Sequence, residues 1–502
     1  MKSSTSETFN LWSRKLSRSL LGITLASTTV IGCHRAAQAI NFNFTYDMGT
    51  SLEQMLGFEM AGEIWSSYLT DDITVDIHVG VTDLLPDNVI GGALPGLTAY
   101  QDYGNFRNAI YSEESKSSDD DTAYNNLHNY QYSDGYTRYR AYFEQGTWHN
   151  RNIALTNANA KALGITPSND LDGYILMSDL SNLSNYSVDW NYDYSREDPM
   201  ASNELDFLSV AMHEIGHILG FVSGVDSTEV ADNQGSYNQN IERLMHTTSL
   251  DMYRYSGWST NNNGYIDLAY GYDSYFSIDG GNTALAHFSE GSDLLLGHGG
   301  DGFQASHWEK ESNPTGIMDP DLALGERANI SDLDLRAFDV IGYDCAYFNY
   351  SGSYSSCDAA SLDFSSLEDD AKDTLIGKIN DKKNYNYTAS QIDWYIDNDD
   401  YNYTAASWID SNRNGDINQM IRDSDIYEWG WGDGGGNNCD PNEQNCGSSQ
   451  VIAAMLTNKG SGFNWSTLGD LTVAEVPEPG TNLGIIALSL LAGGSVLKRH
   501  RK

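Results

Sequence analysis

Residues 205–224 read Leu-Asp-Phe-Leu-Ser-Val-Ala-Met-His-Glu-Ile-Gly-His-Ile-Leu-Gly-Phe-Val-Ser-Gly, with His213 and His217 four positions apart. On a helix that spacing puts both imidazoles on one face, one turn apart, with Glu214 beside them. Two imidazoles so placed can reach one metal ion, and a neighbouring carboxylate can move a proton. The chain must therefore form this helix, bury its apolar face through Ile215, Ile218 and Leu219, and end it promptly. Asn203 is the expected N-cap with Asp206 in the first turn, and Gly220 the expected left-handed stop.

A catalytic zinc site takes three protein ligands and leaves one position open for water. In the compact pattern H-E-x-x-H-x-x-G-x-x-H the third ligand stands three residues after the glycine, and here that position is Ser223, a poor zinc ligand. The downstream candidates are Asp226, His246, His287, His298 and His307. His307 is distinguished by its setting, Ala305-Ser-His-Trp-Glu-Lys310, followed closely by Gly316-Ile-Met-Asp-Pro320. A methionine in a tight turn shortly after the last histidine forms the floor of such sites.

These segments, separated by a long insertion, resemble the leishmanolysin-type branch of the metzincin zinc metalloproteases. They are also similar to a group of bacterial secreted metalloproteases that carry a PEP-CTERM tail. The resemblance covers roughly residues 55–344 and is carried by the motifs just quoted and the helix after them. It implies an α+β fold, a twisted mixed sheet with an active-site helix, in which residues 225–305 are an inserted subdomain. It implies His213, His217 and His307 as zinc ligands, Glu214 as catalytic base and Met318 as the Met-turn residue; by residue type alone, His298 and Asp226 remain the alternatives to His307. The activity it implies is zinc-dependent endopeptidase action on a protein or peptide. Two rival readings are an inactive surface or matrix-binding protein on the same fold, and a zinc hydrolase of a non-peptide substrate.

The rest of the chain is read around that centre. Residues 1–39 look like a secretory signal: Arg14, Lys15 and Arg18, an apolar run from Leu20 to Gly32, and the cleavage site Ala37-Gln38-Ala39. Val30-Ile-Gly-Cys33 offers a rival lipoprotein box. Residues 58–69 have helical spacing and 73–81 alternate like a strand, in which His78 is read as structural. Residues 82–170 read as loops and tyrosine-rich helices, with Ser117–Asp121 as an exposed, solvated acidic tip. Gly173–Ser178 reads as a strand that could serve as the edge for an extended peptide. Residues 248–255 and 275–281 read as strands with turns, and 330–342 as a capped helix that closes the catalytic domain, residues 40–344.

Residues 345–476 form an acidic accessory region, rich in Asp, Asn, Tyr and Ser, with Tyr-Asn-Tyr-Thr-Ala at 385 echoed at 401. There Asp410-Ser-Asn-Arg-Asn-Gly-Asp416 resembles half of a calcium loop, although Ile421 stands where the last acidic ligand belongs, so Ca2+ is a second candidate cofactor against an Asx-rich turn. Four cysteines, Cys345, Cys357, Cys439 and Cys446, form two close pairs that suggest local disulfides. Residues 477–502 combine Val-Pro-Glu-Pro, a short apolar run from Leu483 to Leu497 and a basic end. They resemble a PEP-CTERM sorting signal, which implies an exosortase-type partner and membrane contact through this C-terminal segment. An exported protein of the cell envelope or exterior is the expectation. The 502 residues suggest two or three domains, and a formal net charge of -42 excludes nucleic acid as a partner by repulsion.

Overall fold

The computed structural model describes residues 39–383 and 454–458, apart from 47–49, 83–84, 86–87, 114–116, 144–145, 167–170, 184–186, 227–246, 270 and 292–299. The signal segment, His246, His298, the 410–416 loop, Cys439, Cys446, the tyrosine echo and the 477–502 tail therefore lie outside the described residues. Among the described residues no helix is long and apolar enough to cross a membrane.

The fold is mixed α and β. Its main sheet uses β1 (Asn41–Tyr46), β2 (Thr74–Thr82), β3 (Val89–Pro95), β4 (Gly173–Ser178), β5 (Asp321–Leu322) and β6 (Ala454–Asn458). Their order is β1-β2-β4-β3-β6-β5. The first three in that order run parallel, whereas β3 is antiparallel both to β4 and to β6. Helix α1 (Leu52–Tyr68) opens with a capping box between Ser51 and Gln54 and returns the chain from β1 to β2. Against it packs α2 (Phe207–Leu219), the helix that carries the two histidines, tied by the Trp65 Nε1 donor to Met212 O at 3.0 Å. His78 lies buried in β2, 2.8 Å from Thr45 Oγ1 and stacked on Tyr174, which is a structural setting.

Several expectations are corrected. Strand β4 is not an edge: its six residues are all buried between β2 and β3, as a continuous apolar run permits. Residues 82–170 hold the expected helices, Tyr103–Ser112, Ser118–Asn126 and Asn157–Ala162, but much of what reads as loop is strand, as in Thr137–Phe143, where the buried Tyr139, Ala141 and Phe143 alternate with the half-buried Arg138 and Arg140. Ser117–Asp121 is not an exposed tip. Ser117 caps the helix Ser118–Asn126, Asp119 and Asp120 are buried in its first turn, and Arg336 lies 2.7 Å from Asp119, so the helix N-terminus and the guanidinium offset the charge. Within 248–255 only Arg254 begins a strand, because Asp251 accepts from the Thr248 N–H and folds Leu250–Tyr253 into a 3-10 turn.

The described residues 345–383 do not stand apart. Cys345 and Cys357 form a disulfide that closes the hairpin Phe348–Ser351 and Tyr354–Cys357. The following helix, Phe364–Lys383, lies on α1, where Lys378 Nζ is 2.7 Å from the buried Glu59 and where Ala371, Leu375 and Ile379 join the same core.

Candidate metal centre

The cap of α2 is Asp206, three residues later than Asn203, the expected residue. Residues 204–206 are drawn into a short strand beside Asp189–Asn191, which removes Asn203 from the helix start. Asp206 accepts the Ser209 N–H at 3.1 Å and an Arg196 Nη2 donor at 2.5 Å. At the other end Gly220 has φ +127°, a backbone that favours glycine, and the turn it makes carries the Phe221 carbonyl back to His217. The last carbonyl of the helix, Leu219, accepts from the Tyr343 hydroxyl at 2.7 Å.

His213, His217 and His307 come together across 94 residues of chain, and all three are buried. Their Nε2 atoms converge: 2.9 Å from His217 to His213 and 3.3 Å from His307 to His213. Each Nδ1 faces a backbone carbonyl, Ile317 O at 2.7 Å, Phe221 O at 2.7 Å and Gln304 O at 3.1 Å respectively. A carbonyl can only accept, so each Nδ1 carries the ring proton and each Nε2 is left with its lone pair. Burial pushes all three histidines down, His307 to about 4, so the rings are neutral at pH 7. Three lone pairs aimed at one point repel one another unless a cation lies among them. Ligands of a tetrahedral zinc stand about 3.3 to 3.4 Å apart, close to what these atoms show. The residues therefore fit a metal ion, and the hydrogen bonds at Nδ1 orient them for it.

Glu214, also fully buried, lies under β3. A side-chain carbon at Gly91 would sit 2.6 Å from Glu214 Oε1, so the glycine is what lets the strand pass so near the carboxylate. Met318 lies beneath α2 in the same way, since a carbon at Gly216 would meet Met318 Sδ at 2.4 Å. The turn around Met318 hangs on Asp334 at the start of the helix α3 (Asp332–Val340). Asp334 accepts the Ile317 N–H at 2.8 Å and the Trp308 indole N–H at 2.8 Å, and it completes a capping box with Ser331. One carboxylate thus fixes both the floor of the site and the segment that delivers His307.

The rival ligands are accounted for differently. Asp226 accepts from the Ala305 and Ser306 N–H groups at 2.7 and 3.2 Å, which positions the loop before His307. His287 is half-exposed beside Asp273 and Glu309, apart from the buried trio. Ser223 does not face the histidines as a ligand: its hydroxyl donates to Asp251 Oδ1 at 2.6 Å, and its N–H donates to Ser306 Oγ at 2.9 Å. Asp251, Ser306 and Asp334 do not stand out as site residues in the sequence, where only the spacing of Asp334 after Ser331 marks it as a cap. The buried Arg254 stands among Asp226, Asp251 and Asp267 and balances their charge. A small recess next to His213 is lined by Ser209, Ile317, Asp319 and Leu322.

Comparison of the chain with protein families, with curated proteins and with solved structures finds no match.

Proposed function

We propose that the chain is a zinc-dependent endopeptidase. The observation that carries this reading is the convergence of three neutral, carbonyl-oriented imidazoles, two of which share their helix with a buried glutamate. His213, His217 and His307 would hold the ion through Nε2. A zinc bound there would lower the pKa of its water to about 7 and polarise a substrate carbonyl. Glu214, one residue from His213, would take the proton from the attacking water and return it to the leaving amine. Met318 and Asp334 hold the ligand geometry from below.

The finer assignments belong to this proposal too: a metzincin-like split site, export, and sorting by the C-terminal tail. The test is hydrolysis of an unstructured protein by the zinc-loaded full chain, with and without chelator, beside Glu214→Ala. Chelator-sensitive cleavage lost in the variant is the expected result. Full zinc occupancy without cleavage favours the surface-binding reading. Cleavage of esters or amides but of no peptide would favour the non-peptide hydrolase.

A further inference from the structure

Strand β6, residues Ala454–Asn458, lies between β3 and β5 and joins β5 to the sheet. Against β3 it runs antiparallel, with Ala454 opposite Ala93, Met455 opposite Gly92, Leu456 opposite Gly91 and Thr457 opposite Val89. Against β5 it runs parallel, with Thr457 opposite Asp321 and Asn458 opposite Leu322. Both neighbours belong to the metal centre. Gly91 of β3 backs onto Glu214, and β5 begins three residues after Met318. Strand β6 also packs against α2, the helix of His213, Glu214 and His217. Without β6, the rims β3 and β5 would face each other across a gap of two strand spacings, about 9.5 Å. Each rim would then present unpaired backbone N–H and C=O groups. Such a slot accepts one extended peptide by strand addition, with the backbone held from both sides.

We propose that residues 454–458 occupy this peptide slot in cis and block the metal centre, so that the chain carries its own competitor for substrate. The consequence for activity rests on the endopeptidase reading, whereas the occupancy itself does not. A tethered segment competes at an effective concentration that reaches about millimolar for a suitable linker. If the slot is free in about a tenth of the molecules, the apparent affinity for substrate falls about tenfold. The block is one of access, since no residue from 454–458 is needed to hold the ion.

The experiment compares the full zinc-loaded chain with Leu456→Pro/Thr457→Pro. Adjacent strand residues turn their N–H groups to opposite sides, so two prolines remove donors toward both rims. Three quantities are read on each protein: zinc content, kcat/KM on a short unstructured peptide, and amide exchange at residues 89–93. The proposal expects equal zinc, a rise in kcat/KM of about tenfold as the occupied fraction is released, and faster exchange at 89–93. Equal kcat/KM in two active proteins overturns it and leaves the endopeptidase reading standing. If both proteins bind zinc and neither cleaves, the endopeptidase reading fails and exchange decides the occupancy: faster exchange upholds it, unchanged exchange overturns it. Self-cleavage within 454–458 overturns the block, because the segment is then a substrate. Should the double variant not fold, Thr457→Pro alone is read by the same three measurements.

Discussion

Replacing His307 by alanine removes one of three converging Nε2 donors. Loss of an outer partner of a ligand costs 10- to 100-fold in metal affinity, so loss of the ligand itself should exceed about 100-fold. Zinc per chain measured after dialysis against a weak chelator checks this, and full retention would move the third ligand elsewhere. Glu214→Ala should keep the zinc and lose about 10²- to 10⁴-fold in kcat, the range for a positioned general acid or base. At this scale the sequence is informative because the chemistry is carried by residue type and spacing: His213, Glu214, His217 and the His307-to-Met318 interval can all be named from it. It is silent on the work of Asp251, and it offers Asp226 only as a ligand, whereas both hold backbone N–H groups of loops distant in sequence, Gly224 and Ala305. Nothing in their sequence neighbourhood announces a partner tens of residues away.

At the scale of elements, the segment from Ser306 to Asp334 behaves as one unit, with Asp334 bonded to the Met318 turn, to Trp308 and to its own helix cap. Asp334→Ala would leave several buried donors unsatisfied, at about 1 to 3 kcal/mol for each. We expect it to lower stability by roughly 3 to 5 kcal/mol, as broken buried networks do, and to loosen zinc through His307. Denaturant unfolding of the metal-free protein separates the first effect from the second. The helices α1 and α2 are legible because their apolar positions recur at helical spacing and their ends carry caps. The strands of 82–170 are hidden by their tyrosines, which suit a strand face as well as a helix. The position of β4 inside the sheet is not readable, because strand order is set by pairing between residues far apart, and a run such as Gly173–Ser178 looks the same at an edge as in the middle.

Over the whole molecule, the chain near Asp344 returns to the segment that follows α1. The Thr70 N–H donates to Asp344 O at 2.8 Å and the Asp344 N–H donates to Asp71 Oδ2 at 3.1 Å. Burial, and then the charge of Asp344, push the Asp71 carboxyl up to about 7. Folded Asp71 therefore keeps a proton that the unfolded chain has released between about pH 4 and 7. Its contribution to stability falls as pH rises through that window and the penalty is complete above it. Asp71→Asn should match the wild type near pH 4 and exceed it at pH 8 by about 2 to 4 kcal/mol, since each tenfold change in proton affinity is worth about 1.36 kcal/mol. Chemical denaturation at the two pH values checks this, and an equal difference at both would reject it.

Composition alone suggests a break at residue 344, yet the disulfide and the helix Phe364–Lys383 continue the same core, a matter of packing that a shift toward Asp, Asn and Tyr does not disclose. The activity proposed for the molecule depends on His213, His217 and His307 forming one zinc site that cleaves peptides. The decisive measurement is a titration of the metal-free full chain with zinc while hydrolysis of an unstructured protein is followed. Activity should rise to a plateau at one zinc per chain and be absent from Glu214→Ala at the same occupancy. A saturated site with no hydrolysis above that variant would refute the assignment.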